Sequence, residues 1–156
     1  MKQETQDKLK IEFLPILGHV SLSIGDGWET LLRELCQQLT LITKLTGIQV
    51  VASQVKEKYA GLRFYSEYDL SYCTKLTQPD INTAYTLIDA AINTAESKSE
   101  ATCEMCGRAG HQHEIQGWLR TLCKEHAETI QGITDGHKLH EAQVPLPNDV
   151  DDLPII

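Results

Sequence analysis

The sequence predicts an α+β fold. Its body is a helix, a β-hairpin and a second helix (α-β-β-α), and a treble-clef-like zinc-binding module follows at the C-terminal side. Three observations carry this reading. DGWETLLRELCQQLTLITKL and DINTAYTLIDAAINTAE repeat apolar residues at helical spacing. Between them, two runs rich in β-branched and aromatic residues, GIQVVASQV and GLRFYSEY, are joined by KEKYAG. After them, four soft or borderline ligands stand as Cys103-x2-Cys106-x16-Cys123-x2-His126.

The elements follow in order. Residues 1 to about 10 are polar and expected to fray. IEFLPILGHVSLSIG is apolar but holds Pro15 and two glycines, which predicts an irregular segment or a short strand. In the first long helix Trp28, Leu31, Leu32, Leu35, Leu39 and Ile42 share a face, and Asp26 with Glu29 resembles an acidic capping box. The hairpin is expected to turn at KEKYAG with Gly61. SYCTKLTQPD reads as a loop. Thr77 with Asp80, and Pro79 in the first turn, marks the next helix start. That helix places Ile81, Ala84, Leu87, Ile88, Ala91, Ile92 and Ala95 on one face, expected to lie on the hairpin beside the first helix. SKSEAT is a short polar connector. The resulting division is a body over 1–99, a metal module over 100–136 and an acidic, proline-containing tail over 137–156.

Composition narrows the function classes. The 156 residues suit one domain, or one with a small appendage. Fourteen basic against 22 acidic residues give a formal charge of −8, a poor start for general binding of phosphate backbones. One local basic group exists: Lys56, Lys58 and Arg63 against Glu57, read first as a solvated strand face. No run reaches the roughly 18 apolar residues of a membrane helix. MKQETQDKLKIEF lacks the apolar segment of a secretory signal, so a cytoplasmic protein is expected. Five cysteines without an export signal argue against a disulfide framework. Cys36, on an apolar helical face, is expected to pack as a small hydrophobe, and Cys73 to be a half-buried thiol.

The remaining three cysteines and His126 point to zinc. A two-residue gap lets a tight turn, or the first turn of a helix, aim two side chains at one ion. Gly107 suits the turn behind the first pair. The sixteen residues between the pairs allow a hairpin around HEIQGWLRT, and KEHAETIQGI continues as a helix. Four protein ligands make a closed, structural Zn2+ site, and residues 101–135 hold too few large apolar side chains to fold without it. His111 or His113, in the intervening GHQHE, is an alternative fourth ligand. Trp118 and Leu119 are expected to cover the metal or pack on the body, with a ligand-contacting role for Trp118 as the alternative.

The treble clef also frames HNH nucleases. His113 would be the candidate base, but the helix after Cys123 has no asparagine and no spare histidine to complete a catalytic metal site. No phosphate-cradling loop and no other catalytic set stands out, so an enzyme is not expected.

With these residues placed, the chain resembles a group of small proteins common in bacteriophage and prophage genomes. The shared pattern is Gly27-Trp28, then QVKEKYAGLRFY (54–65), AESKS (95–99), TCEMCG (102–107) and GWLRTLCKEHA (117–127). It spans about residues 25–130, and the order and combination are more specific than any piece. Ala60 stands where a second glycine is usual, and the tail after Gly136 is outside the pattern. The resemblance implies a phage-type source rather than a particular activity.

Two functional readings follow. The first is an interaction module: a small acidic zinc protein that binds a host or phage protein, for instance to block a host defence or nucleic-acid enzyme. The second is a nucleic-acid-binding zinc finger using Lys56, Lys58 and Arg63. Leu146, Leu153, Ile155 and Ile156 give the acidic tail apolar anchors, and both a solvated tail and a docking peptide fit it.

Overall fold

The computed structural model describes residues 1–71, 73 and 77–141, without the side chains of Pro79 and residues 134–141. The expected tail contacts from 142 onward therefore lie outside the described residues. The elements are α1 (Gln3–Glu12), α2 (Leu14–Leu17), β1 (Leu22–Ser23), α3 (Glu29–Thr46), β2 (Gln49–Lys58), β3 (Gly61–Asp69), α4 (Gln78–Ser99), β4 (His111–Ile115), β5 (Trp118–Leu122) and α5 (Lys124–Glu141). A single 3-10 turn, Asp26–Trp28, leads into α3. The class is mixed α+β, with one three-stranded and one two-stranded sheet.

The hairpin β2–β3 is the centre of the body, and β1 joins it as a short parallel partner of β2, Leu22 opposite Val55. Side chains alternate across a strand, so a strand that changes parity must bulge to keep one face inward. β2 does this between Ala52 and Gln54. Val50 and Ala52 face the core before the bulge and Val55 after it. The turn is a two-residue loop. Tyr59 and Ala60 both take positive φ (53° and 61°), the form that matches the twist of the strands. Gly61, expected in the turn, is instead the first residue of β3.

α3 and α4 pack on one another over the hairpin. Trp28, Leu31, Leu32, Leu35 and Leu39 are buried as expected, with Ile42 partly so. α4 buries Ala84, Ile88, Ala91, Ile92 and Ala95. Leu87 is a correction: it is 51% exposed, because one step of about 100° from Ile88 carries it off the inner stripe. The Thr77–Asp80 capping box forms.

The segment Ser97–Ser99, expected to be a connector, completes α4 and has a task. β3 is an edge strand, whose outward N–H groups need partners. The Leu62 N–H donates to Ser99 Oγ at 2.8 Å, and the Phe64 N–H donates to Glu96 Oε1 at 2.9 Å. Ser99 is fully buried.

The N-terminus also differs from expectation. It forms α1, held by buried Leu9 and by Phe13 at its end. The Met1 amino group donates to the Ile24 carbonyl, and the Lys2 N–H donates to Asp26 Oδ1 at 2.7 Å. Asp26 thus serves α1, and no side-chain cap bond forms at the start of α3. Glu29 instead pairs with Arg33 at 2.9 Å. α5 continues through Gly136 to Glu141, so the tail begins later than the expected residue 137. No helix among the described residues is long and apolar enough to cross a membrane.

Candidate metal centre

The turn after Cys103 is closed by backbone bonds. The Gly107 N–H donates to the Cys103 carbonyl at 2.9 Å, and the Cys103 N–H donates to the Arg108 carbonyl at 2.8 Å. Gly107 has φ +75°, a left-handed conformation that glycine adopts without penalty. β4 and β5 then pair from His111–Leu122 to Ile115–Trp118. The tip of this hairpin is Gln116-Gly117, both at positive φ. β5 delivers Cys123, and the first turn of α5 brings His126 to the same place. Cys103, Cys123, Ile115, Leu122 and Ala127 form a small buried cluster of their own.

The four ligand atoms lie within 4.8 Å of one another. Cys106 Sγ and Cys123 Sγ are 3.8 Å apart. His126 Nδ1 lies 3.5 Å from Cys103 Sγ and 3.3 Å from Cys123 Sγ. Zinc bonds of about 2.3 Å to sulfur and about 2.05 Å to nitrogen, at tetrahedral angles, require edges of about 3.8 Å and about 3.6 Å. The donor set and these edges fit a tetrahedral metal ion. His126 rather than His111 or His113 is the fourth member of the group.

The surroundings act on the thiols in opposite directions. Burial pushes the Cys103 thiol up, and the backbone N–H groups of Cys123, Met105 and Cys106 offset this only in part. Arg108, which the sequence reading did not single out, reaches both other sulfurs. Its Nε is 3.4 Å from Cys106 Sγ and a terminal nitrogen is 3.6 Å from Cys123 Sγ. That guanidinium, followed by the Arg108 backbone N–H, lowers the Cys106 thiol to about 6. Glu125 anchors Arg108 at 2.6 Å and is itself held below the usual carboxylate range by it.

The knuckle is seated on the body through the stretch before α3. The Gly27 N–H donates to the Glu104 carbonyl at 2.8 Å, and the fully buried Trp28 donates its indole N–H to the Thr102 carbonyl at 2.7 Å. A Cβ on Gly27 would stand 2.1 Å from the Cys103 carbonyl oxygen and 2.6 Å from the Cys106 nitrogen. The Gly-Trp pair is therefore the contact between core and knuckle. On the other side, Thr121 Oγ1 donates to the Ala60 carbonyl at 2.6 Å, which ties β5 to the strained turn of the first hairpin. Glu104, buried in this seam, is pushed up by desolvation despite its ion pair with Arg120.

The predicted binding residues fare unevenly. Trp118 is 75% exposed and covers neither metal nor core, because it lies at the hairpin tip, where β5 starts. Leu119 is also exposed. Beside Trp118 stands Tyr59, 71% exposed. Lys56 and Lys58 lie over the rings of Tyr65 and Tyr59 at 5.5 and 5.3 Å. Arg63 is half-buried between Glu96 at 3.8 Å and Glu100 at 3.9 Å, so the basic patch is smaller than its sequence suggests. His111 and His113 line a hollow of about 380 Å³ between β4 and α5, with Glu128 across from them. His113 Nε2 is buried there and has no hydrogen-bond partner among the described residues. Cys36 is fully buried and Cys73 is half-buried, as expected.

No protein-family model matches this chain, and no curated protein or solved structure matches it.

Proposed function

We propose that this chain is a zinc-braced binding protein of the phage-accessory type, acting in the host cytoplasm on a host or phage protein. Residues 100–136 are the treble-clef-like module, with Cys103, Cys106, Cys123 and His126 holding Zn2+. The ion's role is to brace the module, because four protein ligands leave no position for a water molecule. The observation that carries the binding role is the exposed Trp118 next to Tyr59 and Leu119, on a rigid seam between module and body. Large aromatic side chains on a fixed scaffold are the residue type that dominates protein interfaces. The formal charge of −8 supports a protein rather than a nucleic-acid partner.

The test has two arms. Protein purified without added metal should carry one zinc per chain, and the Cys103→Ser/Cys123→Ser variant none. The parent should then capture a defined host or phage protein that Trp118→Ser fails to capture. Capture unaffected by Trp118→Ser would remove this surface from the reading. Binding to DNA or RNA at low salt, falling steeply as salt rises, would transfer the function to nucleic acid.

A further inference from the structure

Side chains alternate along a strand, so His111, His113 and Ile115 share one face of β4, spaced about 7 Å apart in steps of two residues. Ile115 is buried with Ala127 in the small cluster, which sets that face against α5. On α5, Lys124, Ala127, Glu128 and Gln131 recur at helical spacing and form the opposite wall. The hollow between the two walls is about 380 Å³. None of Cys103, Cys106, Cys123 and His126 lines it.

One atom here calls for a partner. His113 Nε2 is buried, and no group among the described residues bonds it. Buried polar atoms are nearly always satisfied, by protein, by water or by an ion. A water molecule would account for that one nitrogen. It would not account for a second imidazole two residues away on the same face, or for the Glu128 carboxylate across the gap. Two neutral imidazoles and a carboxylate are a donor set for zinc, nickel or copper; magnesium and calcium take oxygen. The charge balance suits a cation, since Glu114 and Glu128 stand against Lys124 alone. Among the described residues only the cysteine cluster already gathers its ligand atoms within 4.8 Å. His111 and Glu128 are exposed, so side-chain rotation can bring them to His113 when an ion enters. Glu128 gives up little in doing so: its pair with Lys124, at 3.8 Å, joins two exposed side chains.

We propose that His111, His113 and Glu128 form a second metal site, for a divalent transition ion, separate from the cysteine cluster. Three protein donors leave a coordination position for water or an outside ligand, so this ion exchanges readily, unlike one held by four protein ligands. The site uses neither Trp118 nor a partner protein, so it stands or falls apart from the binding role.

The test is titration of the full-length, untagged chain, as purified, with Zn2+ by calorimetry and with Co2+ by absorption. The parent should take up one equivalent beyond the metal it already carries. With Co2+ that equivalent should add visible bands without sulfur-to-cobalt charge transfer, which separates it from the cysteine cluster. Loss of an outer-shell partner alone costs a metal site roughly 10–100-fold, so His111→Gln/His113→Gln should weaken the added equivalent by at least about 100-fold. Glu128→Gln, at an exposed position, should weaken it by about 10-fold or more, and it decides the matter if the histidine variant fails to fold. His137 and His140 also stand at ligand spacing, so His137→Gln/His140→Gln is the control and should leave the added equivalent unchanged. A parent that takes up no further equivalent at micromolar free ion would overturn the proposal. So would an added equivalent that survives both the histidine and the Glu128 variants, or one that is lost in the control.

Discussion

Replacing Gly27 by alanine adds one methyl group at the place where body and knuckle touch. The new Cβ would meet the Cys103 carbonyl oxygen at 2.1 Å and the Cys106 and Gly107 nitrogens at 2.6 Å. All three are backbone atoms, so no side chain can rotate away. Restoring ordinary contact at 3.4 Å requires the knuckle to retreat by about 1.3 Å. Overpacking of this kind costs about 1–3 kcal/mol. The retreat also stretches the Gly27–Glu104 and Trp28–Thr102 hydrogen bonds, each contributing about 0.5–1.5 kcal/mol. Together the loss is about 2–6 kcal/mol, against a typical domain stability of about 5–15 kcal/mol. The zinc-loaded variant should show a lower urea midpoint and a melting temperature down by roughly 5–20 °C. It should also lose metal faster to a chromogenic chelator, because the same contacts hold the Cys103–Cys106 turn. Gly132→Ala is the control. It lies on α5 with nothing within 4 Å of an added Cβ, and should stabilise by up to about 1 kcal/mol. A Gly27→Ala protein within about 1 kcal/mol of the parent, with unchanged zinc release, would refute the seam as the joint between body and knuckle.

Three further outcomes are expected. Stripping the proposed zinc with EDTA should unfold the β4–β5 hairpin while the body persists, because Ile115, Leu122 and Ala127 are the buried apolar side chains beside the ligand cysteines in the small cluster and the larger cluster lies in the body; amide exchange reads both, and retained protection across 111–122 would contradict it. Burial pushes the Cys36 thiol from 9.0 up to about 12, so the folded state holds the proton more tightly; its stabilisation is complete below pH 9 and is lost as pH rises toward 12. Urea midpoints measured through that window should fall less in Cys36→Ala than in the parent. Gln116 occupies the first left-handed position of the β4–β5 turn, before Gly117, where asparagine is favoured. Gln116→Asn should raise stability by about 0.5 kcal/mol in thermal melts, and a loss would count against the turn geometry.

The parts of this protein that were legible in the sequence are those set by short spacing. The apolar positions of α3 recur at helical intervals, so their shared face follows from the helix geometry alone. The hairpin strands and the Thr77–Asp80 cap were legible for the same reason. So was the ligand set, since two-residue gaps suit paired ligands whatever surrounds them. The errors fall where a residue's role depends on a distant partner. Asp26 and Glu29 match a capping box locally, but Lys2 and Arg33 take their carboxylates. Ser99 looks like a linker until the edge of β3 lies against it.

What the tertiary structure alone decided is the joint between the two clusters and the direction of the aromatics. Gly27 and Trp28 meet the knuckle across some 74 positions of chain, the separation of the Trp28–Thr102 bond. Trp118 and Trp28 are the same residue type in equally apolar company, yet one is exposed and the other sealed. A local pattern specifies which side chains share a face. Which face another element covers is a property of the packed whole, because burial is won only when two distant surfaces come together.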